Sequence, residues 1–558
     1  MLSWAGVVLP RALTLAALAV LSLPGAATAS PPLLPPDPAP PLVSRAPLPT
    51  VSHARSADDV SAIVQGLEAA RRAGRLSASD VRAHRATLAR ARTVLARLSG
   101  TRRTVLARVV HEVRLQAGAY NRPRALALFS MLRENADLLA RRGLPPNETD
   151  YVGRGGLVYR VGWGYGLQFH PLANVIALSQ HLYAGRRTKA ALLASSLAAR
   201  AVPARGGGAV WEYYFPYAGG RPPWRSGMVQ AIGAQVFARV GRHLTAPDFF
   251  RVADRSYAAI AGRLVRKLPA GPWIRLYSFS DMLVLNAQLQ ATLSIRAYGK
   301  ILFRDGARAF ARRLQASSRA LLPRFDTSAW TNYIPGHEAP LKYHLYHVEL
   351  AKFLAKRTQA GFWQRAYERF RRYTREPPAF RAASRIAPLY PWPRDGFRDA
   401  GRIAFWVSKI SSVSVTVGGA SYALGARARG WHSFLWSPGR RAPRLYRPAV
   451  AAVDLAGNRG RAALTPVRIA VDRDPPVVRT TLERRTLTWR AEDEATPWLR
   501  MRLVVERLGV RRRIDLGRRP LAGTMRLPMP RGTWRTVLWV SDSSGNRTRV
   551  PLGPVPRV

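Results

Sequence analysis

Residues 331–347, TNYIPGHEAPLKYHLYH, hold three tyrosines (Tyr333, Tyr343, Tyr346) and three histidines (His337, His344, His347), with Glu338 as the single acid. Phenols and imidazoles at this density can transfer protons, ligate a metal or simply pack an aromatic core. Metal ligation has the weakest support. His344 and His347 lie three apart, but no His-Glu-x-x-His spacing and no third ligand accompany them, so no metal is expected. The Pro335-Gly336 pair reads as a turn that folds the two halves of the stretch together.

Composition narrows the setting. The chain has 558 residues, 47% hydrophobic and 22% charged, which is globular and enough for several domains. Its net charge of +56 comes from 88 basic and 32 acidic residues, and only seven of the basic ones are Lys. Arginine in such excess could neutralise phosphates, yet no zinc-finger spacing, single-strand-binding motif or regularly spaced basic helix occurs, so nucleic acid is not the expected partner. A genome-wide preference for Arg over Lys is one reading. A surface steered toward an acidic polysaccharide or an anionic cell wall is the other. The sequence leaves a homodimer open.

The N-terminus reads as export. Arg11, an apolar run from Ala12 to Leu23, and Ala27-Thr28-Ala29 before Ser30 form a signal peptide over 1–29, so a secreted or surface-associated protein is expected. The chain has no cysteine, hence no disulfide and no lipidated Cys anchor. A proline-rich linker follows over 30–53.

The elements that must position the tyrosines come next. Residues 54–148 read as a helical segment. It opens on a capping box at Ser56 and Asp59 and is renewed at Ser77 and Asp80, with Gly74 and Gly100 as stops. Over 149–377, amphipathic runs such as MVQAIGAQVFARVGRHL alternate with aromatic loops such as WEYYFPYAGGRPPW, the texture of an (α/α) toroid whose cup is lined by those loops. Short alternating strands then predict two β-sandwich, immunoglobulin-like domains over 398–472 and 474–556. Both end alike, Val453-Asp454-Leu455-Ala456-Gly457-Asn458 and Val540-Ser541-Asp542-Ser543-Ser544-Gly545-Asn546. The fold class expected is thus an all-α toroid core with an N-terminal helical segment and two C-terminal β-sandwiches.

Four stretches in register carry a resemblance: GYGLQFHPLANVIALSQHLY (164–183), PPWRSGMVQAIGAQVFARVGRHL (222–244), RLYSFSDMLVLNAQLQATLSIRAYG (275–299) and LLPRFDTSAWTNYIPGHEAPLKYHLYHVELAKFL (321–354). Together they resemble the C-terminal domain of the D-glucuronyl C5-epimerases, which invert glucuronate to iduronate within heparan-type chains. The resemblance implies a helical toroid, an acidic uronate polysaccharide as substrate, no cofactor, and proton-transfer residues at Tyr277, Tyr333 and Tyr343. Arg275 and Leu276 stand where the family carries acidic residues. Ile334-Pro335-Gly336 stands in place of a substrate-holding arginine.

C5 inversion removes a proton α to a carboxylate and returns one from the opposite face, so it needs an acid and a base across the ring and a cation beside the carboxylate. Arg275, His337 and His344 are the neighbours expected to supply that charge, and an Arg-rich cup is expected to lower the phenols. Trp224 and Gln230 open a helix at the cup, where the Trp could stack on a sugar or belong to the core. Glu212 is the acidic candidate to replace the missing carboxylates. A uronate polysaccharide lyase, which starts with the same proton abstraction, and an inactive polysaccharide-binding protein are the alternatives.

Overall fold

A computed structural model describes residues 53–555 apart from Trp163 and Gln359, so the expected signal peptide and all but the last residue of the proline-rich linker lie outside the described residues. The chain divides into two compact units, one reaching to Thr374 and one from Arg375 onward.

The first unit contains, among the described residues, the helices α1 (His53–Arg72), α2 (Ala78–Arg97), α3 (Gly100–Leu115), α4 (Arg122–Arg141), α5 (Pro171–Tyr183), α6 (Arg187–Ala198), α7 (Gly227–His243), α8 (Asp248–Ala258), α9 (Leu285–Ile301), α10 (Asp305–Leu321), α11 (Leu341–Thr358) and α12 (Gly361–Tyr373). The Ser77–Asp80 capping box is present in both directions. The Ser56–Asp59 pair is not a cap, because α1 already starts at His53 and a cap residue must be non-helical. Gly100 opens α3 rather than ending α2, which stops at the extended residue Leu98. A small antiparallel sheet (Asp150–Val152, Val158–Gly162, Gly166–Phe169), absent from the sequence reading, precedes α5.

From α5 onward the helices come in pairs. The members α5, α7, α9 and α11 touch in that order, and α6, α8, α10 and α12 each pack on their own partner. The sequence explains this division. Helices α7 and α9 are buried along most of their length, down to polar side chains such as Gln230, Asn286, Gln288 and Gln290. In contrast α10 and α12 bury one stripe and turn arginines to water, which is where part of the Arg excess resides. Fully buried side chains such as Leu285, Leu289 and Ile295 on α9 each contribute about 1.5–3 kcal/mol of hydrophobic stabilisation.

The second unit holds two β-modules of one topology. In the first, Phe380–Ala382, Gly401–Val407 and Gly430–Trp436 form one sheet, and Ala420–Arg427, Ser411–Val417, Ala449–Asp454 and Arg459–Ala463 form the other. In the second, the same order recurs in Val477–Glu483, Thr486–Glu492 and Ala522–Arg526 and in Val510–Arg519, Leu499–Arg507, Trp534–Ser541 and Arg547–Val555. Alternating residues fill each core, Ile403, Phe405, Val413, Val415 and Trp436 in the first, Leu487, Trp489, Met501, Leu503 and Leu538 in the second. The first module begins before the expected boundary at 398: Phe380–Ala382 pairs with the following strand, and Leu389 joins the core. That strand is short and flanked by proline, so its alternation is illegible in sequence. Among the described residues no helix is long and apolar enough to cross a membrane.

Candidate functional site

Three loops of the helical unit bring the tyrosines together. The first, 211–226, leads into α7 and is closed by reciprocal backbone bonds between Tyr213 and Trp224, N to O 2.9 and 3.1 Å. Their rings stack at 3.9 Å. The second, 275–283, is sewn to the first: Gly227 N–H donates to the Arg275 carbonyl at 3.0 Å, and Ser278 N–H to the Arg225 carbonyl at 2.8 Å. Glycine is required at 220, since a Cβ there would lie 2.3 Å from the Phe279 ring. The third is a hairpin, Asn332–Ile334 against His337–Glu338, turned by Pro335 and by Gly336 at φ +82°. As expected from the sequence, this turn folds Tyr333 onto Tyr343, at the start of α11, with centroids 5.0 Å apart and rings at 77°.

Tyr277 sits at the centre. Its ring lies 5.3 Å from that of Tyr217 and edge-on to Trp224 at 5.6 Å. Its hydroxyl hydrogen-bonds with those of Tyr217 and Tyr333, and Tyr343 is near enough to act on it electrostatically. Tyr277, Tyr333 and Tyr343 are 5%, 4% and 2% exposed, whereas Tyr217 is half-buried and meets solvent. Burial, followed by the neighbouring phenols Tyr333 and Tyr217, holds Tyr277 well above the ordinary tyrosine range. Burial and then Tyr217 push Tyr333 up as well, opposed by its hydrogen bond with Tyr277. The cationic lowering expected from the sequence is therefore not what governs these groups. They are neutral acids and hydrogen-bond donors at neutral pH.

The other candidates separate into those near the cluster and those in the core. Lys342 places its ammonium 5.7 Å from the centroid of the Tyr343 ring. His337 is exposed on the hairpin, its Nδ1 3.4 Å from the Pro335 carbonyl. Arg275 is ion-paired to Asp281 at 2.8 Å, so a carboxylate does stand close to it, contributed from beyond Tyr277 rather than before it.

His344 is not available to substrate. It is fully buried, stacked on Trp330 at 3.8 Å, with Nδ1 2.8 Å from Thr331 Oγ1 and Nε2 3.0 Å from the Phe370 carbonyl. That carbonyl can only accept, so Nε2 carries the proton and Nδ1 accepts from Thr331. The same Thr331 Oγ1 lies 2.8 Å from His347 Nδ1, so Thr331 joins the two imidazoles as a hydrogen-bonded core element.

Glu212 is fully buried and held by two arginines, Arg124 (Nε to Oε2 2.9 Å, Nη2 to Oε1 3.1 Å) and Arg225 (Nη2 to Oε1 2.9 Å). It is a structural anchor that ties α4 to the loop before α7, and its oxygens are already engaged. Trp224 is 4% exposed with one face covered by Tyr213 and its Nε1–H donated to the Phe215 carbonyl at 2.8 Å, which makes it core, not a sugar platform. Gln230 is fully buried on α7 beside Ser256, whose hydroxyl donates to its backbone carbonyl at 2.9 Å. The Asp326-Thr327 motif is structural too: Asp326 accepts from Tyr373 at 2.8 Å and Arg369 at 3.1 Å, fastening α12.

Sequence reasoning missed Tyr217, Asp281, Thr331 and the Arg124–Glu212–Arg225 anchor. A signal for Tyr217 exists: it precedes Ala218-Gly219-Gly220, a turn with φ +47° and +81° at its first two positions, which aims the preceding aromatic back over the loop.

An aromatic-lined helical domain followed by paired β-modules is the architecture these observations define. Residues 206–372 match the family model of the D-glucuronyl C5-epimerase C-terminus, a span that contains Glu212, Tyr217, Tyr277, Tyr333 and Tyr343. The β-rich region is consistent with immunoglobulin-like modules. Curated proteins give no match. Solved structures give distant likenesses. One is the fibronectin(III)-like modules of CbhA from Clostridium thermocellum (17% identity, 31% of this chain and 90% of that one, TM-score 0.16). Another is a possible member of the GH105 family from Klebsiella pneumoniae (12%, 59% and 82%, TM-score 0.29). A third is an endoglucanase from Komagataeibacter sucrofermentans (11%, 36% and 71%, TM-score 0.27).

Proposed function

We propose that this protein is an exported uronate C5-epimerase-like enzyme acting on an acidic polysaccharide, and that its paired helices are part of an (α/α) toroid. The observation that carries the reading is the meeting of Tyr277, Tyr333 and Tyr343, with Tyr217, inside the segment that matches the epimerase family.

In this reading one tyrosine first releases its own proton to solvent by way of the half-buried Tyr217 hydroxyl, then as phenolate takes the C5 proton, while a phenol on the other face of the ring delivers a proton to C5. The two phenols exchange roles, so charge is conserved over the cycle. The hydrogen-bonded hydroxyls of Tyr217, Tyr277 and Tyr333 offer a path by which the proton returns. Lys342 and His337 are assigned to the substrate carboxylate, where a cation offsets the charge that develops on proton removal. The large positive charge of the chain favours encounter with a polyanion.

Binding without turnover is a second reading, favoured by one observation: burial and the neighbouring phenols hold Tyr277 and Tyr333 protonated, so neither is a base before substrate arrives. Incubating the full chain with glucuronate polymers in deuterated water decides between them. Deuterium at C5, lost in Tyr343→Phe, supports epimerisation. Binding by a folded sample with no exchange on any uronate polymer supports the second reading. Chain cleavage with an ultraviolet-absorbing unsaturated product would identify a lyase instead.

A further inference from the structure

The two β-modules end in the same turn, and what faces that turn differs. In the first, Asp454 N–H donates to the Asn458 carbonyl at 3.0 Å, and the Asp454 carboxylate accepts from the Asn458 backbone N–H and side-chain amide, both at 2.9 Å. In the second, Asp542 and Asn546 repeat these bonds at 3.1, 2.8 and 2.8 Å. The first turn has a buried cation. Lys409, in the loop that follows strand Gly401–Val407, places its ammonium 3.0 Å from Asp454 Oδ2 and also donates to the carbonyl of Glu376, just ahead of the module's first strand.

The second module has a carboxylate at each corresponding place. Asp493 stands in the loop that follows strand Thr486–Glu492, where the first module has Lys409, and Asp472 stands just ahead of strand Val477–Glu483, where the first has the Glu376 carbonyl. Asp472, Asp493 and Asp542 each offer an oxygen within 4.8 Å of the others. Asp472 is nine-tenths buried and its Oδ2 has no hydrogen-bond partner; Asp493 Oδ2 is likewise buried and unpartnered. Their other oxygens are spoken for: Asp472 Oδ1 accepts from Asp474 N–H, and Asp493 Oδ1 from Ala495 N–H and Thr496 N–H. In the same turn, the hydroxyls of Ser543 and Ser544 are also buried without partners. Glu494, next in sequence to Asp493, is exposed and pairs with Arg398 at 3.7 Å.

We propose that Asp472, Asp493 and Asp542 bind a calcium ion that does in the second β-module what the Lys409 ammonium does in the first. The donor chemistry selects a hard cation. All three groups are carboxylates, no nitrogen or sulfur ligand is present among them, and calcium accepts irregular oxygen shells that magnesium, which demands a near-ideal octahedron, does not. Without it the site would bury three like charges together.

The test uses the full chain, stripped with chelator and desalted, titrated calorimetrically with CaCl2 and MgCl2 and melted with and without each salt. One calcium per chain is expected, with magnesium weaker and the β-sheet melting transition raised by calcium. Asp493→Asn and Asp472→Asn should each weaken calcium binding by more than about tenfold, while Glu494→Gln leaves it intact. Asp493→Lys, which restores a chain-borne ammonium, should give a folded module whose melting no longer responds to calcium. A folded wild-type chain that takes up no calcium at millimolar concentration overturns the proposal. So does binding that survives both Asp→Asn changes, that is lost in Glu494→Gln, or that favours magnesium.

Discussion

The tyrosine cluster and the regions that hold the paired carboxylates both crowd acidic groups into buried space, and they relieve the crowding in opposite ways. The tyrosine cluster keeps its protons: Tyr277 hydrogen-bonds with Tyr217 and with Tyr333, and burial holds Tyr277 and Tyr333 neutral. The carboxylates are instead matched with cations, Glu212 with Arg124 and Arg225, Asp454 with Lys409. The reason lies in chemistry. A phenol can donate and accept at once and so satisfies its neighbours while uncharged, whereas an ionised carboxylate only accepts and needs an opposite charge when buried. A group kept neutral in a network is free to move a proton. A group locked in an ion pair holds structure.

The largest effect should come from interrupting the neutral network. Tyr343→Phe and Tyr277→Phe are expected to cut C5 exchange by about 10²- to 10⁴-fold, as loss of a proton-transfer group does. Loss of the Tyr277 hydroxyl, which serves two neighbours, should cost only about 1–2 kcal/mol of stability. Exchange measured beside denaturant unfolding separates the two. If Tyr277→Phe keeps full exchange, the network is packing and the contrast between regions disappears.

Next comes the locked pair with the deepest cation. Lys409 is among only seven lysines in the chain, and its side chain is 1% exposed against Asp454. Lys409→Met leaves the Asp454 charge buried with its turn bonds alone, and should destabilise the first β-module by about 3–5 kcal/mol. Adding Asp454→Asn should return much of that loss, since the remaining groups are then neutral. Denaturant unfolding of the single and double variants reads the coupling. Simple additivity would show that the pair does not act as a unit.

Glu212→Gln follows. Arg124 would lose its buried carboxylate, but Arg225 is about one-third exposed and can be hydrated, so the expected cost is smaller, about 2–3 kcal/mol. Exchange per folded molecule should be nearly unchanged. Had Glu212 replaced the missing catalytic acid, exchange would collapse while stability held. The two outcomes do not overlap.

How far the sequence could be read follows from the same contrast. Periodicity located the helices and alternation the β-modules, because both patterns are written residue by residue along one element. The Pro335-Gly336 turn made the Tyr333–Tyr343 meeting legible, since it is local. Ring closure into a toroid is not written locally. Nor was the fate of His344, Glu212 or Trp224, since burial is decided by what other elements lay on top: Phe370 from α12 over His344, Arg124 from α4 on Glu212. Residue type named groups capable of chemistry, and only tertiary contact divided them into working and structural ones. The repeated Asp-x-x-Gly-Asn ending was legible, but what faces it, a lysine or two further aspartates, comes from distant loops.

The smallest expected effect is an absence of change, and it bears on the neutral side of the comparison. In the unfolded chain tyrosine titrates near pH ~10; in the folded unit Tyr277 and Tyr333 titrate above that. Below about pH 10 both states hold the proton, so these groups give stability no pH dependence. As pH rises further the unfolded chain releases protons first, and the folded unit loses stability progressively until its own phenols ionise. Denaturant midpoints of the helical unit should therefore show no tyrosine-linked slope from about pH 7 to about pH 10 and fall beyond it. In Tyr277→Phe the fall should be shallower, because one of the raised phenols is gone. A tyrosine-linked slope already present between about pH 7 and about pH 9, abolished by that substitution, would mean that a phenolate exists in the resting protein. The cluster would then be a poised base rather than a neutral network, and the distinction between the two regions would fail at its root.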